Sequence, residues 1–422
     1  MKLGIIGSGG REHSICHALS KSKKVKEIYC FPGNAGTSKI AKNITLNLKN
    51  FNEIKDFILS NKLDLIIVGP EKPLVEGIVN FLEDHNIKVF GPNKIASQLE
   101  GSKIFTKNLC KKYDIPTAKF GIFTSITEAN KFAEEAKYPL VIKADGLASG
   151  KGVYICKNKL EANDSIKIIF GGKFGEAKNL LIEEFLDGEE MSYFVISDGK
   201  TIKSFETAQD HKRVFEGDMG KNTGGMGAYS PSRLINKRLE EKILKKIIKP
   251  TIKGLKNLRV DYIGFLYAGL MIIKDEPYLI EYNVRMGDPE CQTILPKLNM
   301  DLLDIFIACC DQKLNEIKIK WHNKKSLCIV LCSKGYPNEF KKDILVKDLS
   351  KIKLNNDEYC YHAGTKLIHD KVYANGGRVL NFVCLSEDFA ESRKKIFRLI
   401  KMTRLLILKT VAIRYHFQIL QK

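Results

Sequence analysis

The sequence predicts an α/β protein of three parts: an N-terminal domain on a parallel sheet (residues 1–101), a larger middle domain (102–320) with a lid at about 115–190, and a small C-terminal α/β domain (321–422). Three observations carry this. At 422 residues the chain exceeds a single ordinary core. Its first hundred residues alternate strand-like and helical stretches, and each apolar run stops at Gly or Pro. Glycine-rich loops and a late Glu-x-Asn-x-Arg alternation then interrupt the middle of the chain.

In order, strands are expected at Lys2–Ile6, Ile28–Phe31, Leu63–Val68 and Lys88–Phe90, with helices at His13–Ser20 and Glu53–Ser60. The strands run into GSGG, PGNAG, GPE and GPN. Strands that alternate with helices build parallel sheets whose ligand loops gather at the strand C-termini. The loop GSGGREH (Gly7 to His13) nearly matches a dinucleotide fingerprint, but Glu12 replaces the third glycine. The second strand ends Tyr-Cys-Phe-Pro, without an acid for a ribose hydroxyl. The loop is read as a phosphate site at a helix N-terminus, with Gly9 and Gly10 in it. A tight turn without ligand is the competing reading. Asn34, Gly36 and Thr37 of PGNAGT, and Glu71 and Pro73 of GPEKPL, end neighbouring strands and are expected to face the same crevice.

In the middle domain, KADGLASGKG (Lys143–Gly152) follows the apolar run YPLVI. It is not a P-loop, because only three residues separate Gly146 from Gly150 and Gly152 follows Lys151 where Ser or Thr is needed. Lys143 belongs on the strand, beneath a phosphate chain. Gly146, Gly150 and Gly152 form a flap able to close over that chain. Strands at Asn179–Phe185 and Met191–Ser197 enclose the acids of EEFLDGEE. A base can lie on such a backbone, and a later carboxylate can accept ribose hydroxyls; taken alone, acids after a strand are usually just solvated. A glycine-rich stretch (Gly217–Gly227), a helix (Arg238–Lys253) and paired strands (Gly264–Ile272, Pro277–Asn283) follow. In YLIEYNVRMGDPECQ, Glu281, Asn283 and Arg285 alternate with Tyr282 and Val284 and so share one strand face. Glu and Asn two residues apart aim two hard oxygens at one point, which suits Mg²⁺. Arg285 suits a carboxylate or phosphate. A polar face of an exposed sheet explains one such charge, but explains poorly all three ahead of a Gly-Asp-Pro turn. The last region begins with the strand SLCIVLCS at Ser326 and holds two further glycine turns, HAGT and NGGR.

Composition narrows the function classes. With 44% hydrophobic and 28% charged residues the balance is that of a soluble globular chain. No apolar run reaches the ~20 residues of a membrane span, and the N-terminus reads as a strand, not a leader. The 11 cysteines are scattered without a Cys-x-x-Cys pair, which points to free thiols in the cytoplasm and away from a zinc site. The formal charge of +20 is spread over every segment without an aromatic stacking platform, so nucleic acid is not expected as a partner.

The strand lysine, glycine flap, acidic segment and Glu-x-Asn, in this order, resemble the ATP-grasp superfamily. NAGT, VGPE-x-PL, GSK-x-FTK, KADGLASGKG, EEFLDGEE, QDHKR, NTGGMGAYSP, GFLYAGLM, GDPE-x-Q, HAGTK and NGGRV resemble the phosphoribosylamine–glycine ligase family over roughly Met1 to Cys384. The resemblance implies an ATP-grasp fold with an N-terminal parallel-sheet domain and a small C-terminal α/β domain. It also implies ATP-dependent joining of glycine to 5-phosphoribosylamine through glycyl phosphate, in purine synthesis. By the same resemblance Lys107 and Lys143 neutralise ATP phosphates, under the flap that carries Gly150 and Gly152. Glu183, Glu184, Phe185 and Leu186 form the adenine hinge, Glu190 holds the ribose, and Arg213 and Asn222 touch the nucleotide. Glu281 and Asn283 hold Mg²⁺ or Mn²⁺ in a light protein shell, because Gly264–Ile273 lacks the carboxylate that many ATP-grasp enzymes carry there. Arg285 takes glycine's carboxylate or the moving phosphoryl group, and Asp210 takes its ammonium. The ribosylamine phosphate lies against Gly9 and Gly10, with Asn34, Gly36, Thr37, Glu71, Pro73 and Arg378 nearby. The expected partners are these small molecules alone, with no membrane, and the protein is expected to be a monomer.

Ser392–Lys422 departs from the pattern, with no Asp or Glu and many Lys and Arg. A basic amphipathic tail for a membrane or nucleic acid is one reading. A late reading-frame change is preferred, because the resemblance fades after Cys384. The rival functions are another ATP-grasp enzyme, such as a carboxyaminoimidazole ribonucleotide synthase or biotin carboxylase, and a nucleic-acid-binding protein; QDHKR and NTGGMGAYSP speak against the first.

Overall fold

Five short strands pair in parallel in the computed structural model, in the order Lys42–Asn43, Glu27–Pro32, Lys2–Gly7, Leu65–Val68 and Val89–Phe90. The structure describes residues 1–147, 152–173, 175, 178–215, 217, 219–347, 349–402 and 408–410. Successive residues of a strand point to opposite faces, and here both faces are covered. Leu3, Ile5 and Ile67 join a core with Phe194, Phe265 and Phe306 of the middle domain. Ile6, Phe31 and Ile66 join another with Ile54, Leu82, Tyr193 and Tyr282. A sheet buried on both sides reads as continuous apolar runs, which is why KLGII and DLIIV lack a polar alternation.

The middle and last domains share one antiparallel sheet. Its order is Glu276–Asn283, Ile263–Ile273, Glu189–Asp198, Ile202–Asp210, Gly227–Ser230, Lys325–Ser333, Arg378–Ser386 and Glu358–His362. A separate four-stranded sheet stands over it, ordered Phe120–Phe123, Leu180–Glu184, Leu140–Ala144 and Val153–Cys156. Helices Ile126–Glu135 and Lys159–Phe170 cover this lid, burying Ala129, Ala133, Ile166 and Ile169 in a core of its own. The helix expected at Arg238–Lys253 spans Lys237–Asn257 and widens to a π turn at Leu244–Ile248. Pro250, which lacks an N–H, follows that turn.

The C-terminal helix, Phe389–Met402, corrects the reading of the tail over residues 392–402; residues 403–407 and 411–422 lie outside the described residues. Its buried Ile396 and Leu399 pack with Leu380 and Phe382 of the shared sheet, so its apolar side is not free for a membrane. Arg398 donates two hydrogen bonds from Nη2 to Glu358, at 2.6 and 2.8 Å. Residues 392–402 are therefore part of the last domain's fold and not an unrelated terminus. No helix among the described residues is long and apolar enough to cross a membrane.

Candidate active site

A cavity of about 810 Å³ opens between the lid, the shared sheet and the loops of the N-terminal domain. The register of the lid places its charge. Glu183 is opposite Val141, and Lys143 opposite Leu181, so Glu183 and Lys143 are diagonal neighbours on one sheet face. Lys107 arrives from the helix Lys103–Lys112. Glu183 takes an ion pair on each oxygen, with Lys107 at 2.9 Å and Lys143 at 2.7 Å, and all three side chains are at most 5% exposed. Burial alone would raise the Glu183 pKa, but the two lysines outweigh it and hold it low. Burial pushes Lys107 and Lys103 below the usual lysine range. Lys103, which the sequence reading left unassigned, lines the cavity and donates to the Gly146 carbonyl at 2.9 Å. Gly146 itself has φ +87 and open space where a Cβ would be, a conformation that favours glycine.

Glu184, Phe185 and Leu186 also line the cavity. Glu183 reaches it differently from the hinge reading: its carboxylate faces the two lysines and serves as their counter-ion. Glu190, at the mouth, pairs with Lys212 at 2.8 Å, which lowers its pKa. Asp210, next to Lys212, is held up at about 7, first by burial and then by Glu290 and Glu190 against the pull of Lys212. Glu290 is buried under Gly287, where any Cβ would lie 2.3 Å from its carboxylate.

Glu281 and Asn283 line the cavity from the edge strand of the shared sheet, with Tyr282 buried on the other side. No hydrogen bond from another described side chain engages either group, so a carboxylate and an amide oxygen stand side by side and uncommitted. That donor set fits a hard divalent cation. Among the described residues no cluster of three or more His, Cys, Asp or Glu could hold a metal.

Arg285 is anchored on two sides. Its Nε donates to Glu71 Oε2 at 3.2 Å and its Nη2 to Glu100 Oε1 at 2.5 Å. Burial would raise the Glu71 pKa, but Arg285 and Arg11 hold it at about 2. Burial and Glu71 together keep Glu100 up at about 7 despite Arg285. Arg378 straps the loops together, donating to the carbonyls of Gly224 at 2.7 Å and Asp288 at 2.6 Å.

The first loop differs from its reading as an open phosphate cradle. Gly9 and Pro73 line the cavity, but the Gly9 N–H donates to Glu12 Oε2 at 2.6 Å and the Arg11 N–H to Asp288 Oδ2 at 3.2 Å. Two carboxylates thus sit on this helix N-terminus, where an anionic ligand would bind. Gly10 faces Gln292 and Asn381, not the cavity. Asn34, Gly36 and Thr37 also lie off its wall. Asn34 donates to the carbonyls of Ser8, Gly9 and His362, and its Oδ1 accepts from the N–H groups of Gly36 and Thr37. These residues clamp the first domain to the last. Asn222 lines the cavity, whereas Arg213 donates to Gly220 within its own hairpin at 2.7 Å. Gly152 accepts from Ala144 behind the wall, and Gly150 lies outside the described residues.

Lys103, Glu100, Asp288 and Glu290 are thus the additions to the predicted set. Each stands in or beside a quoted motif: LEGSK holds Glu100 and Lys103, and GDPE holds Asp288 and Glu290.

Comparison with known proteins gives concordant matches. Residues 1–100, 101–291 and 326–409 match the N, ATP-grasp (A) and C domains of phosphoribosylglycinamide synthetase. The C-domain match reaches residue 409, so the resemblance does not stop at Cys384. A phosphoribosylamine–glycine ligase of Caldanaerobacter subterraneus is 44% identical over 94% of this chain and 95% of its own. That of Brucella melitensis is 41% identical over 95% and 94%. A crystal structure of the Thermotoga maritima ligase superposes with TM-score 0.81 at 32% identity, covering 95% of this chain and 97% of that one. A biotin carboxylase domain from Hydrogenobacter thermophilus reaches TM-score 0.75 at 17% identity, with 97% and 91% covered, and shares the fold.

Proposed function

The chain belongs to the phosphoribosylglycinamide synthetase family, and from that premise we propose that it joins glycine to 5-phosphoribosylamine at the expense of ATP, in the purine (IMP) pathway. The carrying observation is that one cavity unites the Lys107–Lys143 pair and Glu281/Asn283 with Arg285, Glu71 and Asp210. That set supports binding a polyphosphate at one end and an amino acid at the other. Phosphoryl transfer depends mainly on alignment and charge neutralisation, and the cavity supplies cations for both.

In the proposed sequence, a carboxylate oxygen of glycine attacks the γ-phosphorus, the bond to ADP breaks, and glycyl phosphate forms. The ribosylamine nitrogen then attacks the glycyl carbon, the C–O bond to phosphate breaks, and the nitrogen loses one proton. Lys107 and Lys143 neutralise the phosphates, exchanging part of their pairing with Glu183 for the nucleotide. Glu184, Phe185 and Leu186 supply the adenine edge, Glu190 the ribose contact and Asn222 a nucleotide contact. Arg285 orients the glycine carboxylate and Asp210 its ammonium. Glu281 and Asn283 would hold Mg²⁺ or Mn²⁺, whose charge stabilises the phosphoryl oxygens. Glu71, Pro73 and Arg378, on the N-terminal side, receive the ribosylamine. The 11 free thiols support a cytoplasmic setting.

Phosphate release from ATP, measured with each substrate omitted in turn, tests this. Release that requires both glycine and ribosylamine is expected. Release supported by bicarbonate in place of glycine would overturn it.

A further inference from the structure

Glu100 has no place in the sequence above, yet it holds two parts of the site at once. Its Oε1 accepts from Arg285 Nη2 at 2.5 Å and its Oε2 accepts from the Val284 N–H at 2.8 Å. The ladder between Glu276–Asn283 and Ile263–Ile273 ends at the Asn283–Tyr267 pair. Val284, one residue on, therefore needs a partner from elsewhere, and Glu100 is that partner. One carboxylate thus fixes the backbone between Asn283 and Arg285 as well as the guanidinium itself. Its side chain is 8% exposed, so water does not substitute for it.

The placement of Glu100 is tightly built. It lies on the short helix Gln98–Gly101, and a Cβ at Gly101 would lie 2.9 Å from Val75 Cγ1. That close approach sets the helix flush against Glu71–Glu76, so that Glu71 and Glu100 reach the same guanidinium from two sides. A guanidinium has five N–H donors. Glu71, Glu100 and the Met286 carbonyl, at 3.4 Å, take three. Two donors are left to receive an anion.

We infer that Glu100 is a positioning residue, which aims the free N–H groups of Arg285 at the amino acid's carboxylate. The inference rests on the reading of Arg285 under the proposed function. Glutamine keeps one acceptor oxygen of the two, and alanine keeps none, so the two replacements grade the effect.

The test is steady-state phosphate release by the full chain and its Glu100→Gln and Glu100→Ala variants, with KM and kcat resolved for ATP and for glycine. Misplacement of a reacting group by about 1 Å costs about 10²-fold. The expected result is a loss of that order in kcat/KM for glycine in Glu100→Ala and a smaller loss in Glu100→Gln. The KM for ATP should stay within about twofold, since phosphate contacts from Lys107 and Lys143 remain. Variants that lose thermal stability but keep kcat and the glycine KM within about twofold would reduce Glu100 to a structural counter-ion and overturn the inference. An ATP KM that rises as far as the glycine KM would overturn it too. Calorimetric ADP binding checks the fold of each variant, and if Glu100→Ala does not fold, Glu100→Gln decides alone. An unaltered chain without glycine-dependent release would instead sink the functional reading.

Discussion

Replacing Glu183 with glutamine separates two roles for this residue, adenine contact and counter-ion. At 2.7 and 2.9 Å from two ammonium groups, each pairing amounts to roughly 6 kcal/mol of attraction at an effective dielectric near 20. Desolvation offsets most of this, and breaking a buried pair costs about 3–5 kcal/mol. Glutamine keeps an acceptor oxygen, and a lysine whose pKa burial already lowers can shed its proton, so about 3 kcal/mol is expected. At about 2–4 °C per kcal/mol for a domain of this size, the unfolding temperature should fall by roughly 6–12 °C without nucleotide. Polyphosphate replaces the lost negative charge, so Mg·ADP should restore much of the difference, and ADP should bind no more weakly than to the parent. The pH sign is fixed by the lowered Glu183 pKa. Its contribution is present above the unfolded carboxylate value of about 4.3 and is lost as pH falls through the lower folded value, so parent and variant should converge in acid. The assays are differential scanning fluorimetry against pH and calorimetric ADP titration. An unchanged unfolding temperature together with weaker ADP binding would refute the counter-ion role and restore the hinge contact.

Other outcomes are expected. Lys143→Ala should raise the ATP KM and lower kcat, by about 10²-fold in kcat/KM if removal of one charge from a moving phosphoryl group follows the usual cost; unchanged kinetics would exclude its role. Glu281→Ala should move the Mg²⁺ midpoint for activity upward by about tenfold or more, since one of two protein oxygens is lost; a superimposable Mg²⁺ titration contradicts the ligand set. Asp210 carries its charge only above about 7, so kcat/KM for glycine should climb as pH rises through that value, and Asp210→Asn should flatten the climb as well as lower it. In stability the sign is opposite: the folded state holds the Asp210 proton between about 4 and 7, so the parent should lose stability relative to Asp210→Asn as pH rises across that window. Gly10→Ala places a methyl 2.4 Å from Gln292 Nε2 and 2.5 Å from Asn381 Nδ2; chemical denaturation should register about 1–3 kcal/mol of overpacking.

Much of the fold was legible because its signals are local. Apolar runs such as LIIV, ended by glycine or proline, need no knowledge of their neighbours to read as strands of a sheet covered on both faces. The alternation that put Glu281, Asn283 and Arg285 on one face follows from strand geometry alone. The first turns of the tail, residues 392–402, were misread for a related reason. Their lysines and arginines are visible in the sequence, but the burial of Ile396 and Leu399 on a sheet formed by residues 325–333 and 378–386 is not.

What the site residues lacked in sequence was the identity of their partners. Glu100 and Arg285 are 185 positions apart, and Asn34 reaches His362 across 328. No spacing rule covers such pairs, yet they decide which donors remain open to a ligand. Gly9 and Asn34 carry the groups a phosphate would seek, but Glu12 and the His362 carbonyl engage them. Glu281 and Asn283 carry oxygens that no described protein group engages. An exposed loop motif therefore identifies a ligand contact only after its internal hydrogen bonds are subtracted. By that measure the substrate end proposed for this cavity draws less on the glycine loops that first draw the eye than on Arg285, held between one carboxylate of the first domain and another at the domain junction.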